Sequence, residues 1–493
     1  VSSDLLATFA SWVERRPDAV AVGHRGTTTS YVELDAMVER LAGGLAQLGV
    51  GPGSRVGLMP ERSRVLPAAV FAVLRTGAAY VPLNPADPIA RSAMICADAE
   101  PALVLSSERL RGSVPETGAP VATIEDLLGA DPPAWRRPQG DATAPAYVLY
   151  TSGTTGIPKG VVVECGSVAA FVASTISAYG LGPKDRVLGF AELSFDVSVL
   201  EIFCALGAGA SLHVADREQR LDPEELTELI AGESLTVADI PPVLLPFLEA
   251  ERMPGVRLVS VGGESFAAAL ARPWVASGRR FVNSYGPTEA TVAVTLHECT
   301  GEEPGSAPIG VPMPGQRVHL LDDAGEPVAD GEQGEIHITG SQVARGYLNR
   351  PEQTGLRFLP NPFAGTPGAR MFRTGDLARR NEAGELEFLG RADRQVKIRG
   401  VRIELAEVEQ ALSAHDDVVR AAVVVRRTGT GLGIVGFAVL APEVDGERLD
   451  LTAHLSTRLP SHAVPKEIRA VPRLPLTANG KVDFAELESW TEG

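Results

Sequence analysis

At 493 residues, with 44% hydrophobic and 22% charged side chains, the chain is too long for a single hydrophobic core and ordinary in composition for a soluble globular protein. A formal net charge of -17 argues against nucleic acid or an anionic membrane as partner, and leaves room for an anionic ligand met by a local cationic site. Cys96, Cys165, Cys204 and Cys299 are too widely spaced for a metal-ligand pattern or a disulfide framework. No apolar run reaches the length of a membrane span and no signal-peptide layout opens the chain, so a reducing cytoplasm is expected.

Helical and strand-like apolar patterns alternate over residues 1–390. A stripe of Leu34, Met37, Val38, Leu41, Leu45 and Leu48 predicts a helix over 34–48. Short apolar runs at 146–149, 161–163, 186–191, 211–215, 258–261 and 281–284 predict buried strands with helical stretches between them, which is the pattern of α/β layers on largely parallel sheets. A Pro-rich connector occupies 130–145. Near residue 301 the character changes: strands at 318–321 and 335–339 are separated by Asp-Asp-Ala-Gly and Asp-Gly turns, predicting a small β-rich subdomain over about 301–390. A boundary is expected near 390–393. Beyond it, a helix at 403–412, strands at 418–426 and 433–440 and a helix at 450–459 make an α+β unit, 391–493, long enough to fold separately.

Between two of the strand-like runs lies Tyr150-Thr151-Ser152-Gly153-Thr154-Thr155-Gly156-Ile157-Pro158-Lys159-Gly160. Its glycines let backbone N–H groups turn toward a phosphate, its hydroxyls add donors and its lysine adds charge. In a Walker loop Gly-Lys-Ser/Thr opens a helix, whereas Lys159 stands between Pro158 and Gly160. By residue type alone a polar hairpin would read the same way. Lysine is confined to Lys159, Lys184, Lys397, Lys466 and Lys481, and the first, third and last of these fall in glycine-containing motifs.

The full string resembles the phosphate-loop signature of the adenylate-forming superfamily, which holds acyl- and aryl-CoA synthetases, luciferases and the adenylation domains of nonribosomal peptide synthetases. Matching stretches run from about residue 30 to 483. They include Ser30-Tyr31-Val32-Glu33-Leu34, Leu74-Arg75-Thr76-Gly77-Ala78-Ala79-Tyr80-Val81-Pro82, Asn283-Ser284-Tyr285-Gly286-Pro287-Thr288-Glu289 and Ala344-Arg345-Gly346-Tyr347-Leu348. Further on come Phe372-Arg373-Thr374-Gly375-Asp376-Leu377, the charged run from Gly390 to Gly400, and Asn479-Gly480-Lys481-Val482-Asp483. Cys165, where many relatives carry histidine, and His462-Ala463, where Tyr-Met is usual, depart from the pattern.

The resemblance implies ATP and Mg²⁺ as cofactors and a mobile C-terminal domain. It assigns Thr151, Ser152, Gly153, Thr154, Thr155 and Lys159 to phosphate, and Gly262, Gly263, Glu264, Asn283, Tyr285, Gly286, Thr288, Phe388 and Arg391 to the rest of the nucleotide. Asp376 would take the ribose hydroxyls, Glu289 the metal, and Asp393 would be the hinge. Lys397, Arg399 and Gly400 would approach the thiol in a second half-reaction. Lys481, with Thr151 and Glu289, would be catalytic, bridging the substrate carboxylate and the α-phosphate. The residue chemistry agrees: Tyr285 offers a flat face to a base, Glu289 a hard oxygen, and an Asn-Gly turn leaves Lys481 free to reach out.

The acid pocket is implied in the same way: Asp196, Val197, Leu200, Asp239, Val259, Val261, Ser284, Val292, Ala293 and Lys481. Asp196 and Leu200 share a helix face; an N-cap is the plain structural account of Asp196, and pairing with a substrate ammonium, as the resemblance implies, is favoured over it. The amino-acid-activating branch carries aspartate there, against the substrate α-ammonium, and this argues against an acyl-CoA ligase. Val261, in place of a smaller residue, favours a small neutral side chain such as alanine. Asp239 leaves a basic one, ornithine or lysine, open. The implied partners are a phosphopantetheinylated carrier protein and an MbtH-like protein. A free-standing enzyme is the first expectation and an excised domain of a synthetase fits equally. A non-catalytic nucleotide-binding protein would have lost Glu289, Asp376 or Lys481, and all are present.

Overall fold

A computed structural model describes the chain except for residues 1–4, 132–133, 154–157, 399–400, 429–430, 442–443, 445–448, 477–481 and 492–493. Two large sheets dominate. One has nine strands, in the order Val311–Pro312, Thr295–Glu298, Arg280–Tyr285, Leu258–Gly262, Val237–Asp239, Arg186–Gly189, Ser211–Val214, Val20–His24 and Thr27–Ser30. The pairs from Arg280–Tyr285 through Val20–His24 are parallel, and those of Thr295–Glu298 with its two neighbours and of Val20–His24 with Thr27–Ser30 are antiparallel. The second has seven strands: Gly346–Tyr347, Lys159–Glu164, Pro145–Thr151, Ala79–Pro82, Arg55–Met59, Leu103–Ser106 and Val121–Thr123. This is the expected α/β architecture.

The helix Tyr31–Gln47 begins where Ser30 and Glu33 form a reciprocal capping box, with the Ser30 N–H donating to Glu33 Oε2 at 2.7 Å. Leu34, Val38, Leu41 and Leu45 are buried as the stripe predicts, but Leu48 lies past the last turn and is 52% exposed. Side chains of this helix, of Leu66–Arg75 and of Cys165–Tyr179 share one core with residues of both sheets.

The predicted β-rich region is a five-stranded sheet in which Arg370–Arg380 pairs with Gly334–Gly340, Phe358–Pro360 and Leu386–Arg391. A smaller C-terminal domain follows, with its own core around Val408, Leu412, Val423 and Leu455. The helix expected at 403–412 starts at Leu405, because Val401–Glu404 pairs with Gln395–Ile398 as a hairpin. No helix among the described residues is long and apolar enough to cross a membrane.

Candidate functional site

Parallel strands carry Asp239, Gly262 and Ser284 to their carboxyl ends, where open α/β sheets bind ligands. Asp239 lies opposite Ser260, and Gly262 opposite Ser284. In-register neighbours point to the same face, so Asp239, Ser260, Gly262 and Ser284 look one way. Val259 and Val261 look the other way, into a separate core with Trp274 and Phe281. Both valines were expected among the pocket lining; they are fully buried in this core, on the strand face opposite Ser260 and Gly262. A Cβ at Gly262 would stand 2.6 Å from the Ser284 hydroxyl, so any side chain there would collide.

The loop after Tyr285 is tightly made. At Gly286 a Cβ would meet the Val292 carbonyl oxygen at 2.5 Å. Thr291 and Val292 have φ of 56° and 71°, a left-handed conformation that costs β-branched residues about 1–2 kcal/mol each. Gln342 holds them there. Its Nε2 donates to the Ala293 carbonyl at 2.7 Å and the Thr291 carbonyl at 3.2 Å, and the Thr291 hydroxyl donates to the Gln342 carbonyl at 2.7 Å. This clamp fixes Val292 and Ala293, both buried and both expected in the pocket.

Glu289 is fully buried. It accepts the Tyr347 hydroxyl at 2.8 Å and Arg402 Nη1 at 3.0 and 2.9 Å, with Lys159 Nζ at 3.5 Å. Burial pushes its carboxyl up, and the neighbouring Arg402 and Lys159 cations outweigh that and bring it down to about 2. Lys159 was expected on a phosphate. Its amine is instead turned inward, 3.2 Å from the Tyr347 hydroxyl, and is lowered to about 8 by burial and then by repulsion from Arg402. In this arrangement it positions Glu289.

Arg402 comes from the C-terminal hairpin, whose carbonyl at the same residue accepts the Ser152 hydroxyl at 3.0 Å. Lys397, on the other strand of that hairpin, lies 5.8 Å from the Tyr285 ring centre. A buried pair, Arg91 to Glu407 at 2.8 Å, and the packing of Phe195 near His462 complete the docking of the C-terminal domain.

A second node joins the expected nucleotide residues. The Tyr285 hydroxyl donates to Asp376 Oδ2 at 2.5 Å, and Arg391 pairs with the other oxygen. Arg391 also holds Asp393 at 2.7 and 2.9 Å, which Arg357 approaches at 3.5 Å. Burial, then the Asp376 carboxylate, raises the Tyr285 phenol well above its usual range. Phe388 lies 6.4 Å from the Tyr285 ring. Asn283 is less available than expected, because its amide donates to the Pro308 carbonyl at 2.7 Å. Thr151 Oγ1 is buried with no hydrogen-bond partner, an open donor at the mouth of the glycine-rich loop that suits a phosphate oxygen. Gly153 follows it, and Gly263 and the half-buried Glu264 follow the strand end at Gly262.

Asp196 stands at the N-cap position of the short helix Val197–Val199 without a side-chain cap bond, and the adjacent Val197 N–H bears on its carboxylate. Its Oδ2 accepts the Thr288 hydroxyl at 2.5 Å, a side chain expected on the nucleotide. Burial pushes its carboxyl up, against the Thr288 hydrogen bond and the positive field of Lys397. The next turn, Leu200–Cys204, is a π-helix, a widening common at functional sites. It turns Glu201 into the interior, where the Phe190 and Ala191 N–H groups donate to it at 3.0 Å, and burial pushes it up to about 8. Asp239 faces Ser260, whose hydroxyl is 2.8 Å from that of Tyr179. Leu200 is buried, Val197 half-buried, and the Ser284 hydroxyl donates to the Val261 carbonyl at 3.1 Å.

Thr154, Thr155, Arg399, Gly400 and Lys481 lie outside the described residues. Sequence reasoning missed Arg402, Tyr347 and Glu201. Tyr347 stood in a matched stretch without a role, and an acid within the apolar run 199–203 was the available signal for Glu201. His297, Cys299 and Glu303 come together, but both ring nitrogens of His297 already meet carboxylates, Glu385 at 2.9 Å and Glu303 at 3.0 Å, which makes the group a hydrogen-bonded strut.

Residues 9–348 match the family described as AMP-binding enzyme, and residues 407–481 match AMP-binding enzyme C-terminal domain. Chondramide synthase cmdD of Chondromyces crocatus is 38% identical over 98% of this chain, which spans 13% of that relative. Phosphinothricin tripeptide synthetase PhsC of Streptomyces viridochromogenes is 40% identical over 95% of the chain, which spans 43% of it. Among solved structures, PA1221, a nonribosomal peptide synthetase protein containing adenylation and PCP domains, superposes with a TM-score of 0.87 at 30% identity, covering 98% of this chain and 84% of that one. NpsA-ThdA of Klebsiella oxytoca, an artificially fused adenylation–PCP di-domain, gives 0.86 at 26% identity, covering 94% and 93%. With motif, fold and relatives in agreement, the chain belongs to the AMP-binding enzymes of the adenylate-forming superfamily, among the adenylation domains of nonribosomal peptide synthetases.

Proposed function

We propose that the chain activates an amino acid as its aminoacyl-adenylate and passes the acyl group to the phosphopantetheine thiol of a carrier protein. The observation that carries this reading is Asp196: a half-buried carboxylate beside the expected nucleotide loop, bonded to Thr288. A carboxylate there is costly without a cation, and an α-ammonium supplies one. The substrate carboxylate attacks the α-phosphorus of ATP in line, the bond to pyrophosphate breaks, and aminoacyl-AMP forms. Thr151 offers its unpaired hydroxyl to a phosphate oxygen, Tyr285 and Asp376 hold the nucleoside, and Lys481 offsets charge at the pentacoordinate phosphorus.

Mg²⁺ suits the carboxylate of Glu289 and, when bound, would offset the charge of the pyrophosphate. Arg402 holds those oxygens in the present arrangement, so the hairpin and a metal would take turns. We place the moving unit at 391–493 with its pivot at Asp393. Its rotation would withdraw Lys481 and bring the 397–402 region to the adenylate. The carrier thiol then attacks the acyl carbon and AMP leaves. The adenylation–PCP architecture of the solved relatives supports a carrier as acceptor.

Amino-acid-dependent ATP–pyrophosphate exchange tests the reading. The intact protein is expected to exchange with an amino acid, and Asp196→Ala to lower kcat/KM for it about a hundredfold more than for the des-amino acid. Equal losses would refute the ammonium pairing, and exchange with simple carboxylic acids alone would move the protein to the acyl-CoA ligases.

A further inference from the structure

We propose that Tyr347 is a positioning residue for the metal: it fixes one oxygen of Glu289 so that the other stands open to Mg²⁺ when the C-terminal domain withdraws. The inference rests on the ATP- and Mg²⁺-dependent reading above and adds to it the residue that aims the carboxylate. The two oxygens of Glu289 are held differently. Oε1 accepts the Tyr347 hydroxyl at 2.8 Å and Arg402 Nη1 at 3.0 Å, with Lys159 Nζ at 3.5 Å. Oε2 accepts Arg402 Nη1 at 2.9 Å, its one side-chain donor among the described residues. Tyr347 packs in the core of the N-terminal domain beside Ala290, whereas the hairpin of Arg402 packs in the C-terminal core through Ile398 and Ile403. Withdrawal of the C-terminal domain therefore strips Oε2 bare and leaves Oε1 engaged.

The hold on Oε1 is built into the N-terminal domain. Gly346–Tyr347 pairs antiparallel with Lys159–Glu164, which sets Tyr347 opposite Val161 at the edge of the seven-stranded sheet. The Tyr347 N–H donates to the Thr354 hydroxyl at 3.0 Å, and its ring meets Phe358 edge-on at 5.4 Å. The Ala344 N–H donates to the Glu289 carbonyl at 2.9 Å, so one segment grips Glu289 by main chain and side chain together. Lys159 sets the direction of the phenol. Its amine donates to the Tyr347 oxygen at 3.2 Å, which leaves the O–H to point at the carboxylate. A fully buried carboxylate with one hard oxygen committed and the other vacated by a guanidinium fits a small dication. Without the phenol the nearest partner is Lys159, and Glu289 would turn onto that amine and away from the cation.

Mn²⁺, read by electron paramagnetic resonance, serves as the probe, with the full chain and α,β-methylene-ATP, which cannot be cleaved beside the α-phosphorus. Tyr347→Phe keeps the ring and removes the hydroxyl. It is expected to weaken analogue-dependent Mn²⁺ binding by at least about tenfold, with metal-free binding of the analogue unchanged by calorimetry. Arg402→Ala uncovers Oε2, leaves Tyr347 on Oε1, and is expected to bind Mn²⁺ severalfold more tightly. Three results would overturn the proposal: Mn²⁺ affinity unchanged in Tyr347→Phe, an equal weakening of the metal-free analogue in that variant, or no gain in Arg402→Ala. Each of these leaves the ATP- and Mg²⁺-dependent reading standing. Absence of analogue-dependent Mn²⁺ binding in the unaltered protein would instead remove that reading, and the proposal with it.

Discussion

Replacing Arg402 by alanine should loosen the docking of the C-terminal domain without harming either domain's core. Arg402 meets a fully buried carboxylate at 2.9 and 3.0 Å, and removing one member of such a pair ordinarily costs about 3–5 kcal/mol. Here Tyr347 at 2.8 Å and Lys159 at 3.5 Å remain on Glu289, so the residual cost is about 2 kcal/mol. That loss falls on the contact between domains, because Arg402 belongs to one and Glu289 to the other. It corresponds to about a thirtyfold fall in the docked population. Hydrogen–deuterium exchange read by peptide mass reports it directly: amides of Gln395–Ile398 and Val401–Glu404 should exchange about thirtyfold faster, with the strand Leu258–Gly262 unchanged. Unchanged hairpin exchange would show that Arg402 does not hold the domains together. Equal acceleration in the central sheet would show that its role is global stability.

Other outcomes follow from the buried acids and the strained turn. Glu289 is depressed to about 2 against an ordinary 4.5, so its contribution to docking is complete above pH 4.5 and is lost as pH falls toward 2. Small-angle scattering should therefore show the domains separating across that window, and separation beginning above pH 6 would contradict it. Asp239 is raised to about 6 from 3.8, so its folded form binds a proton more tightly and its charge costs stability above pH 6. Asp239→Asn should raise the Tm of the ligand-free protein by a few degrees at pH 8 and by nothing below about pH 4; a lower Tm at pH 8 would refute the desolvation argument. Gln342→Ala removes the clamp on Thr291 and Val292 and should cost about 2 kcal/mol in denaturant unfolding, with a raised amino-acid KM, and an unchanged KM would separate the clamp from the pocket. Lys481→Ala should abolish pyrophosphate exchange while leaving ATP binding by calorimetry largely intact, and normal exchange would remove its catalytic role.

Much of this site was legible because short motifs carry their own geometry. The 283–289 stretch follows a strand and contains Gly-Pro, so its side chains had to project from a strand end, as Tyr285 and Glu289 do. The sheet layers were equally open to periodicity, and the predicted strands at 211–215, 258–261 and 281–284 fall within a residue or two of Ser211–Val214, Leu258–Gly262 and Arg280–Tyr285. What escaped depends on contacts distant in sequence. Arg402 reaches Glu289 only because a hairpin from the second domain enters the first, which no local pattern encodes. Lys159 read as a phosphate ligand from its neighbours in sequence, whereas its direction is set by Tyr347 and Glu289 on other elements. Glu201 was hidden because an apolar helical run gives no sign that the helix will widen into a π-turn. Along 259–262 the sequence does not say which alternate residues meet the core, because in a strand a shift of one residue exchanges the two faces; the packing with Trp274 and Phe281 settles it for Val259 and Val261.

That alternation has an evolutionary consequence. Along Leu258–Gly262 the chain serves two masters by turns: Val259 and Val261 answer to a core shared with Trp274 and Phe281, while Ser260 and Gly262 answer to the polar face with Asp239, Ser284 and Tyr179. Selection for a new substrate can therefore act on every second residue while the intervening ones keep the sheet packed. A scaffold wired this way can drift along one face with its folding determinants screened on the other.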